Sequence, residues 1–178
     1  MIDYRKIEEL IVSGLQSYLS VDDDNPCYVI MANQTAPVPK YPYVTYTITT
    51  TTETKGGTYG FFDDGKYYRQ MNQIWSFTVQ SNDQTVCNNL ALDAYDYFAH
   101  HGCTYLSDNN ISVVDISNMT NRDNFITAEY EYRQGFDVRF GLMYSITPKE
   151  DETGEYIEKV TLNSEIEDIQ HEIDVEIK

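Results

Sequence analysis

The chain has 178 residues, of which 41% are hydrophobic, so it is large and apolar enough to bury a core as one domain, and a disordered chain is excluded. Its formal net charge of −17 argues against sequence-specific binding of nucleic acid, because no excess of lysine or arginine is left to neutralise phosphates. No apolar stretch resembles a secretion signal or reaches the length of a membrane span, so we expect neither secretion nor membrane insertion.

The first elements are a helix and a short strand. Apolar residues recur at steps of three and four from Tyr4 to Leu19, which predicts an amphipathic helix with Asp3 as its N-cap. The apolar run from residue 27 to 32 predicts a strand. Residues 36–42 contain three prolines and are predicted to be irregular, because proline lacks an N–H and restrains the residue before it.

Aromatic and β-branched residues dominate the next part of the chain. Residues 43–52 predict a strand with Val44, Tyr46 and Ile48 on its buried face. Residues 53–72 combine two glycine-containing turn signals with aromatic residues and predict a long, mobile hairpin arm or ordered loop. Those aromatic residues are Tyr59, Phe61, Phe62, Tyr67 and Tyr68. A further strand is predicted over residues 74–81.

A second helix is predicted to begin after Asn82-Asp83 and to end at Gly102. A strand over residues 111–116 and a polar turn over residues 117–124 follow it.

Strict alternation marks the next strand, over residues 125–142. The even-numbered positions from Ile126 to Phe140 are apolar except for Gln134, and the odd-numbered positions are polar, charged or glycine. Because side chains on a strand alternate between its faces, this pattern predicts a long strand with one dry and one wet face. Together the elements predict an α+β fold, a mostly antiparallel twisted sheet with two α-helices packed on one face.

The last part of the chain is strongly acidic, and we predict a division into a domain of residues 1–146 and an acidic C-terminal extension of residues 147–178. The extension holds eleven acidic residues against three lysines. Ile173, Val175 and Ile177 alternate with charges, which predicts an added edge strand in the same subunit or in another.

The sequence indicates no enzyme, cofactor or metal site. His100-His101-Gly102-Cys103 is the one cluster of metal-ligand residue types, but no second pair lies at zinc spacing, and a structural helix end is the favoured interpretation. No phosphate-binding loop, nucleophile elbow or Cys/His arrangement for nucleophilic catalysis is present. The three cysteines are widely spaced and odd in number, which favours reduced thiols over a disulfide framework.

Two sets of residues are candidates for an assembly interface. The aromatic residues of the arm are suited to order against another subunit, because exposed aromatic side chains anchor interfaces. The charged residues on the wet face of the long strand favour cross-strand or intersubunit ion pairs. The candidate residues are Tyr59, Phe61, Phe62, Tyr67, Tyr68, Glu129, Glu131, Arg133, Asp137 and Arg139.

The order of these elements resembles the neck or tail terminator proteins of long-tailed bacteriophages. The resemblance is carried by the N-terminal helix, by Pro37-x-Pro39-x-x-Pro42-Tyr43 before a Thr/Tyr-rich strand, and by residues 73–80. A helix ending in Tyr97-Phe98, the run 113–116, Arg122-Asp123-x-Phe125-Ile126 and residues 130–138 complete it. It covers residues 1–142 and offers no counterpart for residues 147–178.

The resemblance implies a structural virion protein, made in the host cytoplasm, that assembles as a hexameric ring. Such a ring caps the completed tail tube and docks onto the head connector and neck proteins, leaving a channel for DNA. An acidic channel would repel its cargo, so we expect much of the negative charge to line the channel or to face a basic partner.

Three other functions are consistent with the sequence. Within the same phage neck, the chain could be a tail-tube or head-completion (connector) protein. Outside it, the acidic composition fits a monomeric binding module or DNA mimic. A metal-dependent enzyme would have to use His100, His101 and nearby acids.

Overall fold

The computed structural model of the chain describes residues 3–20, 26–53, 60–126, 129–148, 159–161 and 174–176. Their main sheet contains the strands β1 (Tyr28–Met31), β2 (Tyr43–Glu53), β3 (Gly60–Asp63), β4 (Lys66–Ser81), β5 (Ile111–Ile116), β6 (Thr120–Asn121), β7 (Asn124–Ile126) and β8 (Glu129–Ile146). The helices are α1 (Tyr4–Leu19), α2 (Gln84–Asp96) and α3 (Cys103–Asp108), with a π-helical turn at Tyr97–His101 between the last two.

The main sheet has the strand order β1-β2-β4-β8-β5, and β3, β6 and β7 pair with β4 or β8 at its margins. Only the β1–β2 pair is parallel among these strands; the other pairs are antiparallel. The centre is the long pairing of β4 with β8, in which Trp75 lies opposite Val138. This topology confirms the predicted α+β fold.

The helices cover one face of the sheet, and the core lies between them. Side chains that alternate along β2, β4 and β8 point to this face, and the most buried are aromatic, among them Trp75, Phe77 and Phe136. Helix α1 begins as predicted, since the Asp3 carboxylate accepts a hydrogen bond from the Lys6 N–H at 3.2 Å. None of the helices in the described part of the chain has the length and apolar composition needed to cross a membrane.

Gly102 does not end the helical path as predicted. Helix α2 passes into the π-helical turn, and α3 continues directly after Gly102, so the described residues contain three α-helices where two were expected. Gly102 has ordinary right-handed backbone angles, and its role is steric: an added Cβ would lie 2.5 Å from Cζ of Tyr97. Glycine is present here because the Tyr97 ring lies against the backbone.

The predicted arm belongs to one long hairpin. Strands β2 and β3 pair with the same edge of β4 one after the other, and β4 begins at Lys66, eight residues before the predicted start. Asp64 and Gly65 form the turn with positive φ angles of 44° and 71°, as a two-residue hairpin turn requires. Residues 54–59, including the candidate Tyr59, lie outside the described residues.

The long alternating strand begins later than predicted and ends later. A hairpin replaces its first residues, because β7 pairs with the start of β8 and sets Ile126 opposite Glu129. The parity then holds along β8, where Phe136, Val138 and Phe140 are all buried. The predicted polar turn before this strand contains β6 and the first residue of β7.

The described part of the acidic extension forms a second, two-stranded sheet. Strand β9 (Lys159–Thr161) pairs antiparallel with β10 (Asp174–Glu176), and Val160 lies opposite Val175. The strand predicted around Val175 is therefore present, and its partner is β9 rather than the main sheet. The rest of residues 149–178 lies outside the described part of the chain.

Candidate assembly surfaces

The face of the main sheet that points away from the helices forms a polar groove of about 710 Å³. Its floor consists of side chains from β2 and β4: Thr45, Thr47, Thr49, Ser76, Thr78 and Gln80. One wall is the irregular segment that follows β1, and the other is formed by Arg122, Glu131 and Arg133. The proline-rich segment and the threonine-rich strand, two separate sequence features, therefore build one site.

Arg122 links β4 and β8 on this face through hydrogen bonds of its guanidinium group. One terminal nitrogen of its guanidinium donates hydrogen bonds to Ser76 Oγ at 2.7 Å and to Thr78 Oγ1 at 2.9 Å. The other donates to Asp137 Oδ1 at 3.1 Å, which forms a salt bridge. The guanidinium lies directly over Gly135, where an added Cβ would be 2.6 Å from its atoms. The glycine that interrupts the alternating strand makes room for this arginine.

Glu131 is a buried carboxylate with two partners. Tyr41 donates its hydroxyl proton to Oε1 at 2.6 Å, and Arg133 Nε donates to Oε2 at 2.5 Å. The hydrogen bond to Glu131 is the largest of the effects that raise the pKa of Tyr41 to about 12. Nearby, the Tyr43 hydroxyl donates to Gln80, which donates in turn to Thr45, so the polar groups of the groove floor are linked.

The charged candidate residues of β8 have partners in their own chain. Asp137 pairs with Arg122, Glu131 with Arg133, and Arg139 with Glu53 at 3.2 Å. The sequence favoured cross-strand or intersubunit ion pairs. In the structure Arg139 pairs with a residue of β2 and Asp137 with a residue between β6 and β7, whereas Glu131 and Arg133 lie two residues apart on β8 itself. The side chain of Glu129 lies outside the described residues. A role for any of them between subunits stays a prediction.

The four aromatic candidates that the structure describes, Phe61, Phe62, Tyr67 and Tyr68, lie at one end of the sheet, on the segment of residues 60–69 that we call the distal hairpin. Phe61 stacks on Tyr68 with ring centroids 5.0 Å apart, and Phe62 packs against Tyr67 at 4.9 Å. Phe61 is 54% exposed and Tyr67 46% exposed. Their partners across the strands place them on opposite faces of the hairpin, which is therefore apolar on both sides.

A second aromatic surface lies at the opposite end of β8 and was not predicted. Phe125 of β7 and Tyr130 of β8 meet edge to face at 5.1 Å and are 58% and 62% exposed. The sequence pattern placed both in one long strand, with Tyr130 on its dry face. The sequence missed that Asn124–Ile126 forms a strand of its own, which pairs antiparallel with the start of β8 and sets Phe125 beside Tyr130.

His100, His101 and the cysteines are not among the residues that line the groove. No group of three His, Cys, Asp or Glu residues within metal-binding reach occurs among the described residues. The ring of His101 stacks on Tyr18 at 5.2 Å, as part of the contact between the π-helical turn and α1. The three cysteines are free, and Cys27 and Cys87 are buried.

We expect the free energy of unfolding to fall as the pH rises from about 9 to about 11. Burial raises the pKa of Cys27 and of Cys87 from 9.0 to about 11, so the folded chain keeps two protons that the unfolded chain releases. The contribution is complete below pH 9 and is lost on the way to pH 11. Urea unfolding at pH 8, 9 and 10 measures it. Cys87→Ala should show a shallower fall, and equal slopes would contradict the assignment to the thiols.

Comparison with known proteins identifies the family. A search of curated proteins finds no match. The family model described as phage neck terminator protein matches residues 9–172, nearly the whole chain, and confirms the resemblance seen in the sequence. The match includes most of the acidic extension, for which that resemblance offered no counterpart. The chain belongs to the phage neck terminator protein family.

Proposed function

We propose that this neck protein forms a homo-oligomeric ring, with six subunits, that caps the tail tube and joins it to the head connector while DNA passes through its centre. Family membership supports a structural role in the phage neck. The single observation that supports the ring is the exposed aromatic distal hairpin, because exposed apolar surfaces of this kind mark interaction sites on soluble proteins.

The exposed apolar side chains of this surface support an interface. An aromatic side chain presents roughly 200 Å² when fully exposed, so the half-exposed Phe61 and Tyr67 together leave roughly 200 Å² of ring in water. Met143 and Ile146 of β8 are also exposed, and the register places them on the β8 segment that pairs with this end of β4. This exposed apolar area is divided between the two faces of the hairpin, and each face presents an aromatic and an aliphatic side chain of the kind that anchors interfaces.

The two aromatic surfaces also favour a ring over a symmetric dimer. Tyr130 and Ile146 lie near opposite ends of β8, about 50 Å apart at about 3.3 Å per residue. They differ in sequence and in structure, so one is not the symmetric counterpart of the other. Different surfaces at two ends of a subunit generate head-to-tail contacts, and these close into rings when the rotation between subunits permits.

Charge supports the proposed channel. A net charge of −17 gives a ring of six copies a strongly negative surface, and negative groups in the lumen keep DNA from binding as it passes. The tail tube protein and the connector are the other partners of this proposal, and basic surfaces on them would pair with acidic residues outside the lumen. Residue 147 remains our proposed boundary between the domain and the acidic extension. No catalytic activity is required by this function.

Mass in solution and position in the particle test the proposal. We expect the full chain to form a species of about 124 kDa, six copies of a 20.6 kDa chain, or to assemble so on isolated tails. An antibody against the chain should label intact particles once, at the junction of head and tail. Labelling along the tail would support a tube protein instead. A chain that is monomeric and absent from particles would overturn the proposal and favour the binding module.

A further inference from the structure

The turn of the distal hairpin adds two aspartates and one lysine, Lys66, to its aromatic surface, so the net charge of the turn is negative. Asp63 ends β3 and Asp64 opens the turn, and both are exposed. Phe61 lies two residues before Asp63, and Tyr67 lies on the returning strand. The hairpin therefore presents two features at once, an apolar side surface and an acidic tip. A surface that receives it must offer apolar contacts and positive charge close together.

The polar groove offers both. Its wall after β1 carries apolar side chains that water reaches, among them Met31, Tyr41 and Val38, of which Val38 is 68% exposed. The opposite wall carries Arg122 and Arg133, whose side chains are part exposed although each has a carboxylate partner. Two of the twelve basic residues of this acidic chain thus face one groove. Its volume is sufficient for several aromatic side chains.

The hairpin and the groove of one chain are too far apart to meet. Strand β4 runs without interruption from Lys66, next to the turn, to Thr78 on the groove floor. Twelve residues of extended strand span about 40 Å. The hairpin is part of the same sheet as the groove floor and cannot fold back on it without losing the pairing of β4 with β8. A contact between them must therefore involve two copies.

We propose that the distal hairpin of one subunit seats in the polar groove of its neighbour, with its two aromatic faces, that of Phe61 and that of Tyr67, between the groove walls and the Asp63-Asp64 tip toward Arg122 and Arg133. The occupant is a second copy of this chain. The contact is heterologous, since each subunit contributes a hairpin on one side and a groove on the other, and repeated contacts of this kind form rings. This inference rests on the ring function proposed above and names the surfaces that join its subunits.

Disulfide trapping tests the contact. The variant Lys66→Cys/Val38→Cys carries one thiol at the hairpin turn and one on the groove wall, and Cys103→Ser removes the part-exposed native thiol. Under mild oxidation we expect a ladder of covalently linked chains on a non-reducing gel, because each disulfide joins neighbouring copies. The matched control, Lys66→Cys/Leu92→Cys, places the second thiol on α2 in the helix layer and should give no ladder.

The possible outcomes distinguish a failure of the hairpin–groove contact from a failure of the ring proposal. The experiment uses the oligomer in solution, or assembled particles if the purified chain is monomeric. Oligomers that form normally but give no ladder with the groove thiol would overturn the inference and leave the ring function intact. Dimers linked through Lys66→Cys alone would reveal a symmetric contact between hairpins and would also overturn it. Absence of any oligomer, in solution and in particles, would overturn both proposals.

Discussion

Replacing Phe98 with alanine is expected to lower the free energy of unfolding by about 3–5 kcal/mol. Phe98 is fully buried in the π-helical turn, and its ring touches three aromatic rings of the sheet. The ring centroids lie 4.8 Å from Phe77, 5.5 Å from Phe140 and 6.3 Å from Phe136. Alanine would leave a cavity between helices and sheet, since three rings held on two paired strands cannot collapse into it together. Urea unfolding followed by circular dichroism measures the loss.

A matched control distinguishes the effect of the buried cavity from the effect of placing alanine in a helical segment. Leu92→Ala removes a large apolar side chain from α2, but Leu92 is 47% exposed, so we expect a change below about 1 kcal/mol. A loss for Phe98→Ala as small as that of the control would show that the packing of the π-helical turn on the sheet is not the centre of the core.

Period-two alternation was the sequence signal that predicted the fold best. The positions from Tyr132 to Phe140 define a buried face that the structure confirms, because burial on one side of a sheet specifies the register at each residue. The first helix and its cap were predictable for a similar reason, since both depend on residues close in sequence. Local patterns thus predicted the elements that pack on the core.

The errors in the predicted strand boundaries occur where a strand extends beyond the residues that pack on the helices. The first residues of β4 were assigned to a hairpin arm or ordered loop and not to the strand, because Arg69, Gln70, Asn72 and Gln73 hide the alternation. Beyond the helix layer neither face of the sheet needs to be apolar, so the period-two signal weakens although pairing continues. The β7–β8 hairpin was missed for the opposite reason. Tyr130 continues the even-numbered buried pattern of the strand, although both it and Phe125 are exposed.

The groove could not be predicted from local patterns. Arg122 lies in a motif that supports the family resemblance, but its hydrogen bonds reach Ser76, Thr78 and Asp137, which come from two other strands. Only the strand order brings these positions together. Gly135 was the available clue, because a glycine within a well-alternating strand indicates that another group approaches the backbone closely. The sequence alone does not say which group this is.

The double substitution Phe61→Ser/Tyr67→Ser is expected to convert the oligomer into monomers while the subunit stays folded. Aromatic anchors at the centre of an interface contribute roughly 1–2 kcal/mol or more each, so losing two weakens every contact by a factor of roughly 30 to 1,000. Both side chains lie on the distal hairpin outside the main core, so the free energy of unfolding should change by less than about 1 kcal/mol. Light scattering against concentration measures the first effect, and urea unfolding the second.

The control for this variant is Leu92→Ser, which removes an apolar side chain of matching exposure (47% against 46% for Tyr67) from the helix layer. It should leave the mass of the oligomer unchanged, because α2 lies on the face of the sheet opposite the groove. If both variants dissociate alike, the loss of any exposed apolar group is sufficient and the hairpin has no special role. If neither dissociates, the aromatic hairpin is not an interface, and the subunits must join through another surface, for which the exposed pair Phe125 and Tyr130 is the next candidate.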